Sequence, residues 1–417
     1  MICKTMLIIG FTWPEPNATA AGSRMLQLIS FFLDEGYAIT FASTSKPTDF
    51  SLNLEALGVK RETIELNHPS FDSFIKGLLP DIVLFDRFLT EEQFGWRVAE
   101  STPNAVRILD TEDLHSLRYA RKKAFKAGIK FDLDFWLRQE ITKREMASIY
   151  RCDLSLIISS YEMKLLEQVV AVPGALLLHL PFMIETPSAF TTDSWPCFGQ
   201  RQHFMFIGTG KHEPNLDAIV WLKQEIWPCI REALPKEELH IYGSYLPKLI
   251  TELHQPGEGF YVKGKLSNIE AAMRRHRVNL APLRFGAGIK GKLIDSMRYG
   301  MPSVTTGIGA EGMHSDLPWN GSIAESASDF AKAAIALHTN QFEWDKAQQH
   351  GIEILRSCYD ARRQRQVLRN KIHSLSRGLK KHRFKNFTGA MLGHHSLQSS
   401  KYLSKWIEAK NRGVKNN

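Results

Sequence analysis

The residues best suited to chemistry lie in one segment between Arg284 and Pro302, which reads RFGAGIKGKLIDSMRYGMP. It follows a predicted strand and opens a predicted helix, so its glycines let the backbone approach a ligand while the helix start favours an anion. Lys290 and Lys292 add positive charge at the same point, and Asp295 could accept hydrogen bonds from sugar hydroxyls. A diphosphate bearing a sugar is the ligand that this combination favours. The alternative is an ordinary turn with solvated lysines.

The elements that would hold this segment alternate between short apolar runs and stretches of helical period. Continuous apolar runs such as Thr5–Phe11 indicate strands that are covered on both faces, which is typical of parallel sheets. Two such series are separated by a Pro- and Ser-containing stretch. The predicted fold class is therefore α/β, with two Rossmann-like doubly wound domains facing each other across a cleft, because ligands of such sheets lie at the carboxyl ends of the strands.

Composition and charge indicate which kinds of site and which cellular location the sequence favours. The formal net charge is +9 over 417 residues, and much of it falls between Arg356 and Lys415. The five cysteines are odd in number and scattered, which suits a reducing compartment and disfavours a thiolate metal site. No apolar run approaches the ~20 residues of a membrane span, and residues 1–10 do not resemble a signal peptide. A cytoplasmic location is expected.

Four segments together resemble the family 4 glycosyltransferases of the GT-B fold. Arg284–Pro302, followed by Thr306–Gly312, is similar to the donor-binding signature of that family. Phe206–Asp217 resembles the first strand, loop and helix of the donor domain in a bacterial subgroup. Leu109–Arg118 looks like the family's Asp…Asp-x-His…Arg segment in the acceptor domain, and Pro14–Arg24 resembles its first glycine-bearing loop. The resemblance covers roughly residues 5–340.

The resemblance implies transfer of a sugar from a nucleotide-diphosphate sugar to an acceptor hydroxyl, with retention at the anomeric carbon. The acceptor would be a glycan or a lipid-linked glycan, as in polysaccharide biosynthesis, and neither a cofactor nor a metal is expected. His115 would position the sugar or the acceptor hydroxyl, although it could equally pack or cap a helix, and Arg24 could equally be a plain surface residue. The implied catalytic residues are His115, Lys292 and Asp113, and the implied donor-binding residues are Gly22, Arg24, Gly208, Lys211, Gly243, Lys263, Arg284, Gly288, Lys290, Asp295 and Glu311.

The sequence departs from the family pattern at two places. Many members carry two glutamates eight residues apart at the donor site, but Ala287 stands eight residues before Asp295. Glu311 is the predicted substitute for the missing glutamate. Thr209 replaces a frequent arginine, with Lys211 nearby.

The implied domains are an acceptor-side domain over residues 1–185, a linker over 186–202 and a donor domain over 203–340. Helices over 341–379 would cross back to the first domain, and residues 380–417 would form a basic tail. Within this plan a strand is predicted at Thr63–Leu66. Only a short amphipathic piece around Tyr402–Ile407 is predicted in the tail.

Two other functions are compatible with the same residues. One is a nucleotide-sugar epimerase of the same fold. The other is a non-catalytic nucleotide- or nucleic-acid-binding protein that uses the basic tail, where Phe384, Phe387, Tyr402 and Trp406 interleave with basic residues. Nucleic acid is not the expected partner, whereas contact between the tail and the inner face of an anionic membrane is compatible with the transferase. A merely solvated helix face is the simplest alternative.

Overall fold

A computed structural model of the chain describes residues 4–185, 192 and 194–414. Residues 186–191 and 193 of the predicted linker therefore lie outside the described part. The chain divides into two compact units. Unit 1 consists of Met1–Leu117, Asp132–Leu180 and Gln364–Asn417, and unit 2 consists of Arg118–Phe131 and Pro181–Arg363.

Unit 1 is built on a seven-stranded parallel sheet with the strand order β3-β2-β1-β4-β5-β6-β7. The strands are β1 (Lys4–Gly10), β2 (Tyr37–Ser43), β3 (Lys60–Thr63), β4 (Ile82–Asp86), β5 (Val106–Asp110), β6 (Leu154–Ile157) and β7 (Leu177–His179). The helices between them are α1 (Ala20–Asp34), α2 (Ser70–Leu78), α3 (Phe88–Ser101), α4 (His115–Lys126), α5 (Leu133–Leu137), α6 (Glu140–Arg151) and α7 (Ser160–Gln168). Helix α4 begins in unit 1, but its residues from Arg118 onwards belong to unit 2. Met6, Leu7, Ile8 and Ile9 are all buried, so both faces of the central strand β1 are covered, as its unbroken apolar run predicts.

Unit 2 repeats the plan with a six-stranded parallel sheet in the order β10-β9-β8-β11-β12-β13. The strands are β8 (Gln202–Ile207), β9 (Leu239–Tyr242), β10 (Phe260–Gly264), β11 (His276–Ala281), β12 (Ser303–Thr305) and β13 (Gly321–Ile323). The helices are α8 (Glu213–Trp221), α9 (Trp227–Ala233), α10 (Lys248–Thr251), α11 (Ile269–Arg275), α12 (Gly291–Arg298), α13 (Gly307–Ala310), α14 (Ala327–Thr339) and α15 (Gln341–Cys358). Phe204 and Phe206 of β8 belong to the main apolar core of this unit.

Two long helices complete the chain: α16 (Ala361–Lys385), which is kinked at Gly378, and α17 (Phe387–Val414). The sequence predicted only a short helical piece around Tyr402–Ile407, so the continuous α17 corrects that prediction. At Gly389 a Cβ atom would lie 2.2 Å from the carbonyl oxygen of Tyr150. The glycine thus lets α17 pack closely on unit 1, and packing outweighs glycine's low helix propensity of about 1 kcal/mol.

The predicted strands lie within two residues of the observed ones except at the sheet edge, where the sequence predicted Thr63–Leu66 and the structure has Lys60–Thr63. All four residues of β3 are exposed, so no apolar pattern marks them. Pairing with β2, from Thr40 opposite Lys60 to Ser43 opposite Thr63, sets the register instead. In the part of the chain that the structure describes, no helix combines the length and apolar character that a membrane crossing needs.

Candidate functional site

The loop from β11 to α12 forms the first part of the site, at the carboxyl edge of the unit 2 sheet. Gly286 and Gly288 have positive φ angles of 155° and 66°, a backbone region that favours glycine. Lys290 is buried and its Nζ donates a hydrogen bond to the Gly288 carbonyl at 2.8 Å, which ties the loop down. Helix α12 begins at Gly291, so its first backbone N–H groups adjoin this loop.

Lys292 is the positively charged centre of this edge. Its Nζ donates to Oδ1 of Asn215 at 2.6 Å and lies 4.2 Å from the centre of the Phe206 ring. No carboxylate among the described residues forms a salt bridge with it. Burial lowers the pKa of Lys292 to about 7 because the charged form is deprived of water. An anion bound beside the Lys292 amine would favour its protonated, positively charged form.

Two glycines bring the neighbouring loops close to Lys292. A Cβ atom on Gly208 would lie 2.6 Å from Cγ of Asn215, and one on Gly243 would lie 2.1 Å from the Gly208 carbonyl oxygen. The Gly208 N–H donates to the Tyr242 carbonyl at 3.0 Å. The loops after β8 and β9 therefore fit together only because both positions lack a side chain.

The other predicted phosphate-binding cations differ in how they are held. Nε and Nη2 of Arg284 donate to the Asp217 carboxylate at 2.9 and 2.7 Å, so its charge is already matched. The Nζ of Lys211 lies 3.6 Å from the centre of the Tyr245 ring. Lys263 is exposed on β10. The phosphate-binding roles of Lys211 and Lys263 stay predictions.

The two predicted sugar-binding carboxylates have different surroundings. Asp295 accepts a hydrogen bond from Arg298 at 3.2 Å, and burial raises the pKa of Asp295. Glu311, the predicted substitute for the missing glutamate, is held through both oxygens by Arg121 at 2.7 and 2.8 Å. Arg121 also donates to the Gly286 carbonyl at 2.9 Å. The Glu311 carboxylate thus holds Arg121 against the glycine loop, and its role as a substitute sugar ligand stays a prediction.

Both residues predicted to approach the donor from the first loop of unit 1 have internal partners. Arg24 is buried, with Nε and Nη2 donating to Asp110 at 2.9 and 2.7 Å and Nη1 donating to the Leu180 carbonyl at 2.7 Å. Its burial corrects the alternative that Arg24 is a plain surface residue, whereas its role in holding the donor phosphates stays a prediction. A Cβ atom on Gly22 would lie 2.3 Å from the Glu15 carbonyl carbon. The space at Gly22 is thus filled by the backbone of the same loop.

His115 and Asp113 lie together at the start of α4 in unit 1. The His115 Nε2 is 3.2 Å from Oδ1 of Asp113. The backbone N–H groups of His115 and Ser116 donate to the Glu145 carboxylate at 2.9 and 3.0 Å, which satisfies the open end of the helix. Burial raises the pKa of Glu145 to about 7. The helix start, and with it the His115 imidazole, is therefore held by a buried acid that sequence reasoning missed.

A second group of acids at the carboxyl ends of β4 and β5 was also missed. Arg87 and Glu112 adopt positive φ angles of 72° and 63°, which residues other than glycine rarely do. Burial raises the pKa of Glu112 well above its ordinary value, and the charges of Asp110 and Asp86 raise it further. Glu112 stands between Asp110 and Asp113 in the sequence motif, so its spacing was visible, but nothing in the sequence marked its backbone strain.

Comparisons with known proteins agree with the geometry of unit 2. Residues 201–340 match the family model described as Glycosyl transferases group 1. No curated protein gives a significant match. In fold, the chain is similar to a sucrose-phosphate synthase from Thermosynechococcus elongatus, with 14% identity and a TM-score of 0.66 over 89% of this chain and 99% of that one.

Two further solved structures share the fold. A glycosyltransferase from Rickettsia africae has 10% identity and a TM-score of 0.63, over 91% of this chain and 100% of that one. The HepE protein of Anabaena, solved in complex with UDP, has 12% identity and a TM-score of 0.63, over 89% of this chain and 100% of that one. The predicted fold class and enzyme class are confirmed: residues 201–340 form a glycosyltransferase group 1 domain, and the chain is a glycosyltransferase of the GT-B fold.

Proposed function

We propose that the enzyme transfers a sugar from a uridine-diphosphate sugar to a hydroxyl of a glycan or lipid-linked glycan, with retention at the anomeric carbon. The observation that carries this proposal is Lys292, a half-buried amine in the first turn of α12 whose hydrogen bond goes to a neutral amide. A diphosphate is the group that would make such a site electrostatically favourable. The Anabaena HepE protein, solved in complex with UDP, supports uridine as the first base to test.

The rate of transfer depends on how well the departing diphosphate is stabilised. Negative charge grows on its oxygens as the bond to the anomeric carbon breaks, and preorganised donors stabilise that charge without having to reorganise. Lys292 and the backbone N–H groups at Gly291 would supply these donors, while Gly288 allows the loop to approach the phosphates. We propose no role for a metal ion in this step, because Lys292 and the N–H groups at the start of α12 would supply the positive charge.

The donor sugar would be held by an arrangement that differs from a pair of glutamates. Ala287 offers no carboxylate, and Glu311 is bound by Arg121. We therefore assign the hydrogen bonds to the sugar hydroxyls mainly to Asp295, oriented by Arg298. His115, paired with Asp113, is proposed to position the sugar or the acceptor hydroxyl. A lipid-linked acceptor would place the reaction in the cytoplasm, at the inner face of a membrane.

Loss of the Lys292 amine tests the proposal. Lys292→Ala should reduce the rate of UDP release from UDP-sugars by about 10²–10³, the usual effect of removing one such donor. Lys346→Ala removes an exposed lysine of α15 in the same unit, which has no predicted role at the site, and serves as the matched control, with an expected change of less than about threefold. Equal rates for Lys292→Ala and the unaltered enzyme would remove the phosphate role.

The products distinguish the reaction classes. With a sugar-transfer product in hand, the proton coupling constant at its anomeric carbon reports whether the donor's configuration is retained. Inversion would contradict the proposed stereochemistry while leaving the donor site intact. An isomerised nucleotide sugar that forms without any acceptor would instead identify an epimerase.

A further inference from the structure

Helix α17 carries a row of large apolar side chains on its outer face. Trp406 is 61% exposed, Tyr402 68% and Phe387 72%, and Met391 and Leu403 are also exposed. At about 3.6 residues per turn these five positions fall on one side of the helix, which we call the α17 outer face. Single exposed apolar residues are common on protein surfaces, but two clusters on one side of a helix, Phe387 with Met391 and Tyr402 with Leu403 and Trp406, indicate an interaction site.

Contacts on the opposite side of α17 hold the helix in one rotation about its axis, so that the α17 outer face stays exposed. Helix α17 packs on α3 and α6, with Ser404 and Glu408 buried. Arg97 of α3 forms a buried ion pair with Glu408, donates to Oγ of Ser404 at 3.1 Å and pairs with Asp72 at 2.7 Å. Breaking one member of a buried ion pair is strongly destabilising, so the helix cannot rotate to hide its apolar row.

The charge of positions 380–417 is almost entirely positive. Glu100 of α3 places one exposed carboxylate beside α17, where it pairs with Lys401. Glu408 is the sole acidic residue between positions 380 and 417, and its carboxylate is taken up by Arg97. The Nζ of Lys410 lies 5.4 Å from the centre of the Trp406 ring, so charge and aromatic surface are adjacent. The exposed lysines of this region are Lys380, Lys381, Lys385, Lys405 and Lys410.

We propose that the α17 outer face binds the surface of an anionic lipid bilayer. Trp and Tyr prefer the boundary between lipid headgroups and acyl chains, and lysines at the edge of an apolar face are attracted to anionic headgroups. Each lysine close to the surface strengthens such binding roughly fivefold. Protein–protein interfaces are depleted in lysine, and single-stranded nucleic acid is usually held in a groove rather than on the outside of a helix. This proposal rests on the proposed function in one respect only, namely that a lipid-linked acceptor would lie in the same membrane.

The test is cosedimentation of the full chain with vesicles. Vesicles of phosphatidylcholine with about one-third phosphatidylglycerol should bind the protein at least tenfold more tightly than pure phosphatidylcholine, and added salt should weaken the binding. The variant Phe387→Ser/Tyr402→Ser/Trp406→Ser should reduce binding at least tenfold, because three apolar side chains no longer enter the interface. Lys385→Glu/Lys410→Glu should remove the preference for the anionic vesicles.

Phe342→Ser provides the matched control, since Phe342 is 72% exposed on α15 in unit 2 and lies outside the proposed surface. It should bind vesicles as the unaltered protein does. Equal binding by the triple variant, an equal loss in the control, no preference for anionic vesicles or tighter binding to polyuridylate at the same salt concentration would each overturn the proposal. Calorimetry with UDP-glucose separates the two proposals, because vesicle binding without nucleotide binding would contradict only the proposed donor.

Discussion

Donor binding should draw a proton onto Lys292. Burial lowers the pKa of this amine to about 7. At pH 8, therefore, roughly nine-tenths of the molecules lack the charge that a diphosphate needs. A bound diphosphate favours the charged form, so binding should take up about 0.9 proton per nucleotide sugar at pH 8, about 0.5 at pH 7 and about 0.1 at pH 6. Above pH 7 the affinity should fall by up to about tenfold per pH unit.

Calorimetry in pairs of buffers that differ in ionisation enthalpy measures this proton uptake directly. A nucleotide sugar is the right ligand, because its diphosphate is esterified at both ends and does not titrate near neutral pH. Lys292→Met keeps an apolar chain against Phe206 and removes the titrating amine. Its binding should be weaker and free of the pH-dependent uptake. Lys346→Met, which removes an exposed lysine of α15 with no predicted role at the site, should leave the uptake unchanged.

Two results would refute this reasoning. Proton uptake that persists in Lys292→Met would mean that another group titrates on binding. A wild-type affinity that stays constant between pH 6 and 8.5 would mean that the diphosphate does not contact the amine. Either outcome would remove Lys292 from the phosphate site, whatever its effect on turnover.

Three further changes test the supports of the site. Arg121→Met should lower the free energy of unfolding by up to about 3 kcal/mol, because it leaves the Glu311 carboxylate unpaired. In urea titrations the double variant Arg121→Met/Glu311→Gln should recover part of that loss. Burial lowers the pKa of His276 to about 4, below its unfolded value of about 6.5. The free energy of unfolding should therefore fall as the pH drops from about 6.5 to 4, by at most about 1.4 kcal/mol per pH unit. Thermal melts of His276→Phe should show a smaller pH dependence. Gly208→Ala should cost about 1–3 kcal/mol and weaken nucleotide binding in a thermal-shift titration, since the new methyl group would displace Asn215.

The fold was predictable because its signal is local. The unbroken apolar run of β1 and the glycine–lysine segment before α12 each lie within about twenty consecutive residues, and a parallel sheet brings the carboxyl ends of its strands to one edge. Gly288, Lys290 and Lys292 could be placed together for the same reason. The position of edge strand β3 was predicted wrongly because backbone pairing, and not side-chain burial, sets it.

The roles of Arg24 and Glu311 could not be read from the sequence, because their partners lie far along the chain. Arg24 is paired with Asp110, 86 residues away, and Glu311 with Arg121, 190 residues away. A charged residue in a family-like motif shows no sign of whether a distant partner already neutralises it. Long-range pairing of charges follows only from the completed fold, so the partners of Arg24 and Glu311 could not be predicted.

The return of α16 and α17 to unit 1 constrains the order in which the chain can fold as it is synthesised. Unit 1 includes Gln364–Asn417, so its last helices are made only after the whole of unit 2. Until then the surfaces of α3 and α6 that α17 covers are open, and Arg97 lacks the Glu408 carboxylate. Unit 2 can therefore finish folding on the ribosome before unit 1 does, even though unit 1 is begun first. A ribosome that stalls within residues 364–417 would leave a finished unit 2 attached to an incomplete unit 1.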